Sequence, residues 1–280
     1  MPIVDAHHHL WDLGVRDQDW ITGPALAPLR RDFLLSDYRP LADANGVAAS
    51  VVVQTVTMPG ETPDLLALAA ASALIAGVVG WTDLTAPDIA DRIAALKEQP
   101  GGGKLVGLRH QVQSEPDPDW LTRPDVLRGL AVVAQAGLVY DLVITAGQLG
   151  HATRAAAAVP ELTFVLDHLG KPPIAAGRTE PWAEDLRGLA ALPNTVAKLS
   201  GLVTEADWRS WQVADLRPYA EVALDAFGPA RMMFGSDWPV CTLAASYPDV
   251  LAAARDLTAG LSPAGREAVF AGTATSVYGL

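Results

Sequence analysis

Ile3-Val4-Asp5-Ala6-His7-His8-His9, the first short apolar run of the chain, ends in three histidines. Side chains alternate along a strand, so His7 and His9 share one side and His8 faces the other. Seven further runs of this kind follow at 50–56, 77–84, 105–112, 139–145, 163–169, 195–200 and 232–238, each bounded by Gly, Pro, Asp or Asn. Between them lie Ala-rich or amphipathic stretches with helical spacing: around Leu41, then 63–76, 87–98, 124–136, 148–157, 181–191, 218–227 and a last region over 248–273. Several of these open on a proline near the first helical turn, where its missing N–H costs nothing. The spacing of the strands leaves room for right-handed crossovers and is too long for hairpins, so the sheet is expected to be parallel. Continuously apolar runs such as Val51-Val52-Val53 fit strands covered on both faces. Eight such units in 280 residues match an α/β fold of one kind, a single (β/α)8 TIM barrel. The rival, a doubly wound open sheet, lacks its Gly-x-Gly-x-x-Gly after the first strand.

Half of the residues are apolar and 19% are charged, which excludes a disordered chain, a coiled coil and a collagen-like rod. With 32 acidic against 20 basic residues the net charge is −12, and no basic run exceeds Arg30-Arg31. Nucleic acid and anionic membrane surfaces are therefore poor partners. The single cysteine, Cys241, rules out an internal disulfide and fits a reducing compartment. No basic, apolar leader is visible at the start, so a cytoplasmic location is expected. The stretch 65–81 is nearly long and apolar enough to span a membrane, but Gly77 and Gly80 sit where a buried helix would give way to a strand. No linker or composition shift divides the chain, and one domain over residues 1–280 is expected. The longer connections, 12–39 and 113–124, are where functional loops would lie.

A barrel of this type builds its active site at the carboxyl ends of its strands. Here those ends carry His7-His8-His9, Arg109-His110-Gln111, Asp167-His168, Lys198 and Asp237-Trp238. Two imidazoles on one side of a strand end can chelate a divalent metal. Asp237, on the last strand, can join them as a ligand or take a proton from an attacking water; its structural alternative is a helix-capping or turn aspartate. Arg109 and Lys198 are positive groups able to stabilise a developing oxyanion or hold a carboxylate. Lys171, beside Pro172, reads as a surface loop residue, and His151 as a surface histidine near a helix start. Trp81 and Trp238 are the aromatic candidates for stacking on a substrate ring, with Trp120 a candidate lid residue and Trp11 a fourth tryptophan placed at a strand end or loop.

Four motifs in order, Asp5-x-His7-x-His9, Gly107-Leu108-Arg109-His110, Asp167-His168-Leu169-Gly170-Lys171-Pro172 and Gly235-Ser236-Asp237-Trp238-Pro239, resemble the amidohydrolase superfamily. More narrowly they are similar to its sugar-lactone hydrolases, the L-fuconolactonases and L-rhamnonolactonases. The resemblance implies a barrel that opens a sugar-derived lactone to its hydroxy acid, with His7, His9, His168 and Asp237 at the metal-ligand positions. Binuclear members of the superfamily carry a carboxylated lysine at the end of the fourth strand and a histidine at the end of the fifth. This chain has Arg109 and Asp141 there, which leaves one divalent metal, zinc or manganese, or a metal-free mechanism.

The expected reaction has Asp237 as the base, His110 or His168 as the group that protonates the leaving alkoxide, and Arg109, Trp81, Lys198 and Trp238 as substrate contacts. A homodimer is compatible with the sequence. Two alternatives belong to other classes: a non-oxidative decarboxylase of the same superfamily, and a non-catalytic sugar-acid binding protein.

Overall fold

The structure, a computed structural model, describes residues 2–280. The eight apolar runs become eight strands: β1 (Ile3–His8), β2 (Val47–Val53), β3 (Ile75–Gly80), β4 (Leu105–His110), β5 (Val139–Leu142), β6 (Phe164–Leu166), β7 (Thr195–Leu199) and β8 (Met232–Phe234). They lie in sequence order in one sheet, each parallel to the next. The ring closes just beyond the last regular strand. His8 bridges Trp238, the His9 N–H donates to the Trp238 carbonyl at 2.7 Å, and the Asp237 N–H donates to the His7 carbonyl at 2.8 Å. Eight parallel strands closed in this way, with helices between them, form a (β/α)8 barrel.

The main helices are α1 (Leu35–Asn45), α2 (Glu61–Ala70), α3 (Ile89–Lys97), α4 (Pro124–Gln135), α5 (Leu149–Ala158), α6 (Trp182–Ala190), α7 (Val213–Phe227) and α8 (Tyr247–Leu257). Local chemistry sets several of their ends. Gly46, at φ 74°, terminates α1 in the left-handed conformation, and Pro124 occupies the first position of α4. Ser246 caps α8, accepting from the Asp249 N–H.

Three expectations are corrected here. Helix α7 starts five residues before Pro218 and carries that proline inside it. Within 65–81 the helix stops at Ala70 and the strand starts at Ile75, so the change comes earlier than the glycines suggest. Among the described residues no helix is long and apolar enough to cross a membrane. The region 248–273 is also not one helix: after α8 the chain breaks, then turns through Pro263–Glu267 and Ala268–Gly272 into Thr273–Tyr278. That tail closes the barrel from below, packing Ala274 and Tyr278 against an interior of Val4, Val51, Val53, Val79, Val139, Val165, Val196 and Met233.

The inner face changes character towards the carboxyl ends. Two residues beyond Val139, Val165 and Val196, alternation brings Asp141, Asp167 and Lys198 to the same inward side. Arg109 follows Gly107 in the same way, and Gly107 is required because a Cβ there would lie 2.9 Å from Val139 Cγ2. A charged layer therefore rests on an apolar one.

Candidate active site

All four members of the charged layer are buried. Lys198 Nζ lies 2.5 Å from Asp141 Oδ2, 3.0 Å from Asp167 Oδ1 and 3.0 Å from His7 Nδ1. Arg109 donates to Asp167 Oδ2 at 2.9 Å and, through Nε and Nη2, to Gln54 Oε1 at 3.0 and 2.9 Å. It also bonds the Gln54 carbonyl and approaches His7 Nε2 at 3.4 Å, so its N–H groups are engaged within the protein. Burial pushes the Asp167 carboxyl up, but Lys198, His7 and Arg109 outweigh that and hold it well below the usual range. Burial raises Asp141 to about 6, with Lys198 pulling against it.

Above this layer four side chains converge. A register shift between Asp5 and His8 interrupts β1. It leaves His7 and His9 facing the barrel axis, while His8 points outward to Ser50 Oγ (3.0 Å) and stacks on Tyr38. Asp237 Oδ1 lies 3.7, 3.4 and 3.8 Å from the Nε2 atoms of His7, His9 and His168, and the first two nitrogens are 3.1 Å apart.

The outer nitrogen decides the tautomer of His9: its Nδ1 sits 2.8 Å from the Val53 carbonyl and must carry the proton there, which leaves a lone pair on Nε2. His168 Nδ1 meets Ser200 Oγ at 2.9 Å, a hydroxyl that can donate or accept, and His7 Nδ1 lies between Asp167 at 3.2 Å and Lys198 at 3.0 Å. Three Nε2 atoms thus gather around one carboxylate oxygen. Two ligands of a tetrahedral zinc, each bonded at about 2.0–2.1 Å, would stand roughly 3.3–3.4 Å apart, so the spacing of His7, His168 and Asp237 suits one divalent cation, with His9 beside them. Burial lowers His7 well below its ordinary range and takes His168 to about 4, so both rings are neutral near pH 7.

The backbone that aims these groups is unusual. Asp237 has φ 57°, and His168, Leu169, Gly170 and Lys171 are four consecutive left-handed residues at φ 53°, 52°, 70° and 54°. Such geometry costs about 1–2 kcal/mol for each non-glycine residue. The turn is locked by the Lys171 N–H on the His168 carbonyl and by the Trp182 indole N–H on the Leu169 carbonyl, at 2.9 and 2.8 Å. Strain held by such packing is typical of functional sites. Gly201, at φ 64°, lies against this turn, and a Cβ there would be 2.5 Å from His168 Nδ1. Gly201→Ala is therefore expected to displace the ring. It should lower stability by about 1–3 kcal/mol and metal content severalfold, read by thermal melting and metal analysis.

A cavity of about 250 Å³ opens over the cluster, lined by His9, Arg109, His168 and Asp237 together with polar and aromatic neighbours. Several sequence candidates lie elsewhere. Lys198 is fully buried beneath His7 and is out of a substrate's reach. Trp238 points outward onto Phe33 and Tyr38. His110 accepts from the Trp81 indole at 3.0 Å, pairs with Glu115 at 2.6 Å and stacks on Trp120, so His110, Trp81 and Trp120 form a packed cluster beside the cavity and do not line it. Trp11 packs against Phe33. His151 is a surface residue near Asp119, as its position suggested.

The whole chain has relatives of the same design. Residues 4–280 match the amidohydrolase family. The chain belongs to that family. A Burkholderia multivorans protein named L-fucono-1,5-lactonase is 43% identical over 99% of this chain and 96% of its own length; one from Burkholderia ambifaria with the same name is 36% identical over 98% and 94%. A solved structure of a Burkholderia multivorans amidohydrolase with bound zinc covers 100% of both chains at 43% identity, with a TM-score of 0.92.

Sequence reasoning missed several parts of this amidohydrolase. Lys171 lines the cavity, brought there by the left-handed turn that a motif read as a plain loop does not reveal. The aromatic walls are Trp20 and Trp208, with Thr55, Gln111, Gln113, Thr204 and Glu205 as polar lining. Asp5 is buried and accepts from the hydroxyls of Tyr38 (2.8 Å) and Tyr247 (3.0 Å) and from the N–H groups of Ser236 (2.8 Å) and His7 (3.2 Å). It pins β1 to the loop after β8, the two segments that carry His7, His9 and Asp237. Its place in the Asp5-x-His7-x-His9 motif was the available signal.

Proposed function

We propose that residues 1–280 act as one barrel domain that hydrolyses a sugar lactone to the open hydroxy acid, with a ring of the L-fucono-1,5-lactone type as substrate. The observation that carries this reading is the convergence of three imidazole Nε2 atoms on Asp237 at the floor of a cavity of about 250 Å³. The lactonase names of the 43% and 36% identical relatives supply the substrate class.

His7, His168 and Asp237, with His9 at 3.4 Å from Asp237 as a fourth donor, would hold one divalent ion, zinc or manganese; zinc is supported by the nitrogen-rich donor set and by the zinc in the 43% identical structure. Such an ion, when bound, polarises a carbonyl and acidifies water. The chain supplies the rest. Burial pushes the Asp237 carboxyl up, but His168, His9 and Lys171 outweigh it and bring it below the usual range, so it is ionised and can accept a proton from the attacking water. The same proton then passes to the ring oxygen as the acyl–oxygen bond breaks, so atoms balance without a second acid. Arg109, held by Gln54 and Asp167, adds fixed positive potential below the reacting carbonyl. Trp20 and Trp208 offer apolar faces to the ring, and Gln111, Gln113 and Thr55 offer hydrogen bonds to its hydroxyls.

The test is a panel of five- and six-membered sugar lactones followed by acid release above the spontaneous rate, with metal content measured on untagged protein. Opening of a neutral sugar lactone is expected. Carbon dioxide release from aromatic acids without lactone opening would point to the decarboxylase, and binding without turnover to a non-catalytic protein.

A further inference from the structure

Two charged side chains line the cavity with no hydrogen-bond or ion-pair partner among the described residues: Lys171 and Glu205. Each is placed by a built feature. Lys171 ends the left-handed turn after β6, and Glu205 ends the short helix Leu202–Glu205, which starts at left-handed Gly201 against His168. Burial and the nearby Asp237 charge push the Glu205 carboxyl up from its usual range while Lys171 pulls it back, which puts Glu205 in the electrostatic field of Asp237. Arg109, the other cation of the lining, is committed to Gln54, Asp167 and His7. The pocket thus offers a ligand one free ammonium and one free carboxylate besides the Asp237 cluster.

An ionised carboxylate accepts hydrogen bonds and donates none. A sugar ring's hydroxyls suit it; a substrate carboxylate brings no donor and a like charge into a site where water screens poorly. We propose that Glu205 is the residue by which this pocket selects neutral, polyhydroxylated lactones over lactones that carry a carboxylate, a proposal that rests on the lactonase reading above. Lys171 acts in the opposite sense, since it attracts the charge that Glu205 repels.

The experiment uses a matched pair, galactono-1,4-lactone and galactaro-1,4-lactone, which share a ring and differ at the last carbon as hydroxymethyl or carboxylate. The unmodified protein should prefer the neutral ring in kcat/KM by about 100-fold or more. In Glu205→Gln, checked for an unchanged melting temperature, KM for the neutral ring should rise about tenfold with kcat within about twofold, and the preference should shrink at least about tenfold. Lys171→Met should widen it. A preference unchanged in Glu205→Gln, or a loss confined to kcat, would overturn the proposal. Calorimetry with the neutral lactam and its carboxylate counterpart reads the same selection without turnover. A protein that opens neither lactone but binds the neutral lactam preferentially, with that preference lost in Glu205→Gln, overturns the lactonase reading and supports the selection. Equal binding of both lactams, or of neither, overturns the selection itself.

Discussion

Asp237→Asn is expected to lower kcat about 10³-fold or more while leaving the fold intact, since a positioned base contributes about 10²–10⁴. The backbone at this position is fixed without help from the carboxylate: the Asp237 N–H donates to the His7 carbonyl, and the Trp238 N–H donates to Ser236 Oγ at 3.1 Å. Asparagine also tolerates the left-handed φ of 57° better than most residues. What is lost is the proton acceptor and one oxygen of the cation site, so metal content should fall with kcat. The pH dependence has a definite sign. In the proposed mechanism the working forms are ionised Asp237, its pKa held below the usual range, and neutral His168, its pKa lowered to about 4. Neither changes charge between about pH 5 and 8, so these groups leave the rate flat there and reduce it as the pH falls through about 4. Retention of more than a tenth of the activity in Asp237→Asn would remove this residue from the chemistry.

Lys198→Met is expected to cost about 3–5 kcal/mol of stability, because it leaves Asp141 and Asp167 buried without their shared cation. For a chain of this size that corresponds to a fall of roughly 5–9 °C in melting temperature. Arg109 still faces Asp167, so the greater burden falls on Asp141, whose remaining partner is the Tyr278 hydroxyl at 2.9 Å. Adding Asp141→Asn to Lys198→Met should therefore restore part of the loss, a non-additivity expected of groups in one network. A melting temperature unchanged in Lys198→Met, with a raised KM, would return Lys198 to the role of substrate contact.

The sequence carried the barrel well because its evidence is periodic. Eight apolar runs at crossover spacing specify strand order and direction, and alternation put His7 and His9 on one side and His8 on the other; which side faces the axis is set by the register shift in β1. Depth along the barrel axis was not legible. Lys198 was read as a substrate contact at a strand end, but the sequence cannot show that it sits level with Asp167, one layer beneath the cavity. Backbone handedness was hidden for a related reason. His168-Leu169-Gly170-Lys171 contains one glycine, and nothing local announces four left-handed residues; buried Leu169 and the Trp182 hydrogen bond, distant in sequence, impose them. Trp81, Trp238 and His110 were near the right strand ends, but the ends of β3, β8 and β4 turn these side chains away from the axis towards other aromatic groups. The convergence of His7, His9, His168 and Asp237 was legible because they stand at or just beyond the ends of β1, β6 and β8, where chemistry of this fold collects.

The most direct measurement is lactone opening in water enriched with heavy oxygen, using the metal-loaded protein and L-fucono-1,5-lactone, with Asp237→Asn alongside. Faster opening than the spontaneous reaction, with one heavy oxygen in the product's carboxylate and the acceleration lost in Asp237→Asn, is the predicted result. No acceleration by the folded, metal-loaded protein, or heavy oxygen appearing in the ring-carbon hydroxyl, would contradict attack by an Asp237-activated water on the lactone carbonyl.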